Sequence, residues 1–104
     1  MIKQAIIPLA GLGTRLLPLT SVFAKELLPI NGKPGIEFIL DECIEAGIKE
    51  VVFIISKKKE MIKKYFYNDR FYKKIINKKK DSRIIAEYKK ILKYKKMIKF
   101  VYQN

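Results

Sequence analysis

The chain has 104 residues, with 23 basic and 10 acidic side chains and a formal net charge of +13, and this length allows one small domain at most. It contains no histidine, so the commonest general base and metal ligand is absent, and its single cysteine excludes an internal disulfide. No apolar stretch is long enough to span a bilayer, and the first residues lack the long apolar core of a signal peptide, so we expect a cytoplasmic protein.

A buried strand followed by a long loop is predicted at the start of the chain. The apolar run from Ala5 to Leu9 is typical of a buried parallel strand, predicted over residues 3–9. Residues 10–33 form a loop punctuated by glycines and prolines, with a short extended segment at 27–30. A loop this long in a small domain is usually functional. Because glycine allows unusual dihedrals and close approach, the turn after the strand can surround phosphate oxygens with backbone N–H groups.

The next predicted element is an amphipathic helix from Pro34 to about Ala46, which stops at Gly47. Its expected apolar face consists of Ile36, Ile39, Leu40 and Cys43. Its four carboxylates lie elsewhere and predict a solvated face, formed by Glu37, Asp41, Glu42 and Glu45. We expect the Cys43 thiol to be buried and unreactive.

The second half predicts one more crossover and a third strand. Residues 51–55 read as a buried strand, parallel to the first because strand–helix–strand crossovers are right-handed. Helices are predicted over 57–67 and 83–95 and a strand over 98–102, whereas 69–80 could be helix or loop. The expected inward side chains are Met61, Ile62, Tyr65, Phe66, Ile84, Tyr88, Ile91 and Leu92. Phe71 and Tyr72 are expected in the core rather than stacked against bases. The fold class is therefore α/β, with a mainly parallel sheet and flanking helices.

The positive charge lies almost entirely in the second half. Residues 1–56 carry five basic and six acidic side chains, whereas residues 57–99 carry eighteen basic and four acidic ones. Such a cluster can bind nucleic acid or a membrane surface. The lysines alternate with apolar residues at helical spacing, which instead favours solvated helix faces and a coding bias toward lysine. We expect no specific nucleic-acid partner and no membrane partner, only weak, salt-sensitive binding to polyanions.

The loop carries a specific motif. It runs from Gly11-x-Gly-Thr-Arg15-x-x-Pro18-x-Thr20 through Lys25-Glu26-x-Leu-Pro29 to Lys33-Pro34. This string resembles the signature of the sugar-phosphate nucleotidylyltransferases, and Glu26, where the thymidylyl branch usually has Gln, resembles the bacterial uridylyl branch. The resemblance implies a Rossmann-like nucleotidyltransferase half-domain, truncated after its amino-terminal part. Residues 1–56 would form its nucleotide-binding βαβ start, and residues 57–104 the lysine-rich helices and final strand.

The resemblance also implies a reaction and roles for individual residues. UTP and glucose 1-phosphate would react to give UDP-glucose and pyrophosphate. Arg15 and Lys25 would be the catalytic cations that hold the phosphates. The nucleotide would further contact Ala10, Gly11, Gly13, Thr14, Glu26 and Gln103, the last two facing the base or its surroundings. The Mg²⁺ that family members use would be held by aspartates outside this chain, so no metal ligand is assigned within it.

Alternatives to an active enzyme remain open. The chain could be a non-catalytic or decayed piece, inactive alone, or it could work with a complementing carboxy-terminal polypeptide. It could also be a small basic nucleic-acid-binding module. Exposed strand edges of a small sheet would favour association, so an oligomer is also expected.

Overall fold

Three parallel strands form the main sheet of this protein, and the middle one of the three in chain order also lies at the centre of the sheet. The structure is a computed structural model that describes residues 3–9, 17 and 23–103. The sheet order is β1 (Gln4–Pro8), β4 (Glu50–Ile55), β5 (Ile98–Tyr102), with Ile7 beside Phe53 and Phe53 beside Phe100. The predicted α/β class and parallel pairing are thereby confirmed.

A small hairpin and a helix lie between β1 and β4. The hairpin pairs β2 (Pro29–Ile30) with β3 (Lys33–Pro34) through Asn31 and Gly32, which both have positive φ. Helix α1 (Gly35–Glu45) follows it directly. Gly47 ends the helix in a left-handed conformation that glycine adopts without strain. The expected extended segment at 27–30 is thus confined to its last two residues.

The lysine-rich half of the chain folds into three helices. They are α2 (Glu60–Phe66), α3 (Asp69–Lys78) and α4 (Ser82–Met97), and a 3₁₀ turn at Lys57–Lys59 stands where the first turn of a longer helix was predicted. Residues 69–80, open between helix and loop in the sequence, are helical as far as Lys78. Among the described residues, no helix is both long and apolar enough to cross a membrane.

The core is one cluster to which β4, β5, α1, α2 and α4 contribute buried side chains. Val51, Phe53 and Ile55 of β4 alternate inward, as expected for a strand with one buried face. The helices contribute the following buried side chains: Ile36, Leu40, Cys43, Ile62, Phe66, Ile91 and Tyr94. Burial raises the pKa of the Cys43 thiol, in line with an unreactive cysteine. Phe71 was predicted in the core and is instead 56% exposed on α3, so that prediction was wrong.

The predicted solvated face of α1 is only half correct. Glu42 and Glu45 are exposed, but Glu37 is completely buried. The Tyr65 hydroxyl donates a hydrogen bond to Oε2 of Glu37, and Lys90 Nζ lies 3.3 Å from its Oε1. α2 and α4 therefore cover this side of α1 as well, and they bring a donor and a cation that make burial of the carboxylate possible.

Asp41, one turn further along α1, sits in a second polar cluster. It forms an ion pair with Lys33 and accepts a hydrogen bond of 2.7 Å from the Tyr94 hydroxyl. Burial by itself would raise the pKa of Asp41, but the Lys33 and Tyr94 hydrogen bonds outweigh it and hold the pKa below its ordinary value of 3.8. A similar ion pair joins Asp69 of α3 to Lys95 of α4 at 2.7 Å and lowers the pKa of Asp69.

These lowered pKa values predict a loss of stability in acid. A carboxylate with a lowered pKa in the folded state stabilises the fold fully above its unfolded value, here 3.8, and stabilises it less as the pH falls through the folded value. We expect the free energy of unfolding to decline below about pH 4 and the decline to be shallower in Asp69→Asn. Urea titrations between pH 6 and pH 2 measure both slopes. Identical slopes for the two proteins would contradict the prediction.

Candidate functional site

The carboxyl ends of the three parallel strands meet at one edge of the sheet. The N–H of Leu9, just after β1, donates to Ile54 O of β4 at 2.9 Å, and the N–H of Gln103, just after β5, donates to Ile55 O at 2.8 Å. Ligands of open α/β sheets bind outside the carboxyl ends of the strands. This edge is therefore where the segments that follow the strands can form a site.

The predicted glycine-rich turn begins directly after Leu9, which is buried at this edge. Ala10, Gly11, Gly13, Thr14 and Arg15 all lie outside the described residues, so their roles stay predictions. The strand that precedes them ends at Pro8, whose missing N–H costs no sheet hydrogen bond because Leu9 supplies the next one to β4.

Lys25 begins a 3₁₀ turn that the structure describes over Lys25–Leu27. The turn is closed by hydrogen bonds from Leu27 N to Ala24 O at 3.0 Å and from Leu28 N to Lys25 O at 3.2 Å. The Lys25 side chain is exposed, and within 3–9, 17 and 23–103 no carboxylate pairs with it. As far as these residues are concerned, its ammonium is open to an anion from solvent.

Glu26, the next residue, faces the opposite way. Its side chain is only 8% exposed, and Lys59 Nζ lies 2.6 Å from its Oε2. Its other oxygen, Oε1, is buried and has no hydrogen-bond partner in the part of the chain that the structure describes. The carboxylate predicted to face the base or its surroundings is thus engaged with a lysine from the turn after β4.

Sequence reasoning missed Lys59. In the sequence, Lys59 is one of three consecutive lysines that were predicted to lie on a solvated helix face. Its side chain is only 10% exposed in the structure. A signal was present, because Lys57–Lys59 follows the end of β4 at the edge where the parallel strands terminate. A lysine at such an edge is better placed for a buried carboxylate or a phosphate than one on a helix face.

Gln103 is exposed at the end of β5, and the structure fixes its backbone through Ile55 but gives its amide no contact among the described residues. Beside it, the Tyr102 hydroxyl donates a hydrogen bond of 2.7 Å to Glu60, and this bond raises the pKa of Tyr102. Lys63 Nζ lies 5.4 Å from the centre of the Tyr102 ring. The end of β5 is thus tied to the start of α2.

The described residues do not fit a divalent-cation site. Within residues 3–9, 17 and 23–103, no three histidine, cysteine or carboxylate side chains gather as metal ligands. Glu26, the carboxylate of the lysine-bearing turn, already holds a cation in Lys59. What the described residues of this edge offer chemically is the positive charge of lysines such as Lys25, which suits phosphate groups.

Comparison with known proteins agrees with this geometry. The nucleotidyl transferase family model matches residues 4–77. The chain is 42% identical over 88 residues to UTP–glucose-1-phosphate uridylyltransferase 1 of Staphylococcus saprophyticus, covering 85% of this chain and 31% of that protein. It is 52% identical over 68 residues to the enzyme of that name from Mycoplasma pneumoniae, covering 65% of this chain and 23% of that protein.

Solved structures give the same result. A UTP-bound UGPase from Acinetobacter baumannii superposes with a TM-score of 0.83 at 35% identity, over 99% of this chain and 36% of that one. A UDP-glucose pyrophosphorylase complexed with UDP-glucose gives 0.68 at 32% identity, over 99% of this chain and 35% of that one. The chain thus spans about a third of the length of most of these proteins. Since the family model matches well over half of its residues, the chain belongs to the nucleotidyl transferase family.

Proposed function

We propose that this chain is the nucleotide-binding part of a UTP–glucose-1-phosphate uridylyltransferase. The observation that carries the proposal is the exposed ammonium of Lys25, which no carboxylate of residues 3–9, 17 and 23–103 pairs with. Its turn is attached, through Glu26 and Lys59, to the carboxyl edge of the sheet. The names of its relatives and the UTP-bound neighbour of similar fold support the choice of nucleotide.

In the proposed reaction, a phosphate oxygen of glucose 1-phosphate attacks the α-phosphorus of UTP. A new P–O bond forms, the bond from the α-phosphorus to the bridging oxygen breaks, and pyrophosphate leaves with the electron pair. Such a transfer depends on positioning and on neutralising charge rather than on a protein base, which is consistent with a chain that lacks histidine. Mg²⁺ belongs to the proposal as a cofactor that aspartates outside this chain would hold.

Each predicted site residue has a part in this proposal. Arg15 and Lys25 neutralise the triphosphate and the departing pyrophosphate. Backbone groups of Ala10, Gly11 and Gly13 approach the nucleotide, and the Thr14 hydroxyl helps the turn receive phosphate. The Gln103 amide, at the end of β5, pairs with the donor and acceptor edge of uracil. Glu26, which is held in an ion pair with Lys59, lies beside the base or its surroundings.

Binding of UTP is the first test of the proposal. We expect Lys25→Ala and Arg15→Ala each to weaken UTP binding by about tenfold to a hundredfold, since a hydrogen bond to a charged group contributes about 1.5–3 kcal/mol. Lys93→Ala, which removes an exposed lysine from α4, is the matched control and should change the affinity less than about twofold. Isothermal titration calorimetry measures all four proteins. Equal losses of affinity in Lys25→Ala and Lys93→Ala would mean that only the net charge of the chain matters, which would contradict the proposed site. Binding of duplex DNA without any response to UTP would favour the nucleic-acid-binding module.

Turnover forms a second part of the proposal. We expect the 104-residue chain alone to release no pyrophosphate from UTP and glucose 1-phosphate with Mg²⁺, and to do so once it is mixed with the portion of the Staphylococcus saprophyticus relative that lies beyond the matched region. The active form is then an assembly with a complementing polypeptide or an oligomer.

A cytoplasmic location is part of the same proposal, because nucleoside triphosphates are available there and Cys43, the one cysteine, is a free thiol.

A further inference from the structure

The turn that carries Lys25 is held at the residues on both sides of it. On one side, the N–H of Ala24 lies 3.0 Å from the sulfur of Met61. On the other side, the Glu26 carboxylate pairs with Lys59 at 2.6 Å. Lys59 and Met61 belong to one short stretch, the junction between the end of β4 and α2. One junction therefore contacts both neighbours of an exposed lysine.

The residues of this turn differ strongly in burial. Ala24 and Glu26 are buried together with Lys59, whereas Lys25 between them is exposed. A three-residue 3₁₀ turn has poor internal hydrogen bonding and does not hold its shape alone. Contacts with the β4–α2 junction hold it, together with a hydrogen bond of 3.3 Å from Gly35 N at the start of α1 to Leu28 O. β4, at the centre of the sheet, is hydrogen-bonded on both sides.

From this geometry we infer that Lys59 is a positioning residue: through Glu26, it fixes the turn so that the Lys25 ammonium is presented to the phosphates of the nucleotide. Met61 supports the same turn through Ala24. The inference deepens the proposed function and rests on it. Lys59 itself is too deeply buried, and too fully engaged with Glu26, to be the cation that solvent anions meet first.

Three substitutions and one matched control test the inference. Lys59→Met removes the charge and keeps most of the stem, and Lys59→Arg restores a cation. Met61→Leu removes the sulfur acceptor without leaving a buried charge, so it tests the attachment of the turn even if Lys59→Met does not fold. Lys58→Met makes the same chemical change on the exposed neighbouring lysine.

Two measurements separate positioning from general stability. Amide hydrogen exchange of residues 24–28 reports the order of the turn, and the ratio of the UTP to the uridine affinity reports the contribution of the phosphates. For Lys59→Met we expect exchange at 24–28 to be about tenfold faster and the affinity ratio to fall about tenfold, with uridine binding unchanged. Met61→Leu should give smaller changes of the same sign, Lys59→Arg should recover most of the ratio, and Lys58→Met should match the wild type.

Each other result has a definite meaning. Unchanged exchange at 24–28 in both Lys59→Met and Met61→Leu overturns the inference, and so does an unchanged affinity ratio in a variant with faster exchange. If Lys59→Met does not fold, Met61→Leu decides by the same two readouts. If the wild-type chain binds uridine and UTP equally, the proposed function is contradicted, and so is the inference that Lys59 positions Lys25 for phosphates. Faster exchange in Lys59→Met would in that case still show that Lys59 attaches the turn.

Discussion

Replacing Phe66 with alanine is expected to lower the free energy of unfolding by about 3–5 kcal/mol, as large-to-small changes of buried aromatic residues do. Phe66 is completely buried at the end of α2. Its ring centre lies 5.1 Å from that of Tyr65 and 6.3 Å from those of Tyr94 and Phe100. The side chain therefore joins α2, α4 and β5, and its loss leaves a cavity where three elements meet.

A matched control for this change lies five residues away. Phe71→Ala makes the same substitution on α3, where the side chain is 56% exposed, and should change stability by less than about 1 kcal/mol. Since a domain of this size has a total stability of only about 5–10 kcal/mol, Phe66→Ala should lose a large fraction of it and unfold at a much lower urea concentration. Urea unfolding followed by circular dichroism measures both proteins. Similar losses for Phe66 and Phe71 would show that the aromatic cluster is not the centre of the core.

Tyr65→Phe is expected to lower the free energy of unfolding by about 1.5–3 kcal/mol, although it removes one oxygen atom and creates almost no cavity. That oxygen carries the hydrogen that is donated to the buried carboxylate of Glu37. Burial and the bond to Glu37 raise the pKa of Tyr65, so the hydroxyl remains a donor throughout the neutral range. Without it, Lys90, 40% exposed, is the remaining partner of a fully buried charge among the described residues.

Tyr67→Phe provides the comparison for this second prediction. Tyr67 is 43% exposed, and the contacts described for it involve its ring, which lies under the Lys95 and Lys63 ammonium groups and against Phe100. Those contacts survive the change to phenylalanine, so stability should fall by less than about 0.5 kcal/mol. Thermal unfolding at neutral pH compares the two variants. A Tyr65 variant as stable as the Tyr67 variant would mean that the Tyr65 hydroxyl contributes nothing to holding Glu37 in the core.

The sequence was informative where one short segment determines the outcome. Residues 51–55 are apolar throughout and could only be a buried strand, and the strand at Ile98–Tyr102 was predicted with its exact bounds. The apolar face of α1 was also predicted, since helical spacing places Ile36 and Leu40 together. In each case the physical cause lies within a few residues of its effect.

Predictions failed where the cause lies far along the chain. Glu37 looked solvated because its own helix offers it no partner, and its partners Tyr65 and Lys90 come from α2 and α4. For the same reason, nothing in the sequence around Glu26, a predicted site residue, indicated that it pairs with Lys59, which lies 33 residues away. Phe71 looked like core because it is aromatic, yet α3 turns it outward. The resemblance to a family supplied the glycine-rich turn and Arg15, whose roles rest on it still.

The central place of β4 also has a consequence for how the fold is reached. Gln4 pairs with Glu50, and Val51 pairs with Ile98, so both strand pairings join residues that are nearly equally far apart along the chain. The entropy of loop closure grows only with the logarithm of the loop length and therefore favours neither pairing. Most of the connection between β4 and β5 is helical, from α2 to α4. Helices that form early leave fewer flexible residues between the two strands and so make their pairing easier. The nucleus of folding should accordingly lie on the β4–β5 side, with β1 and the turn that carries Lys25 added to a surface that already exists.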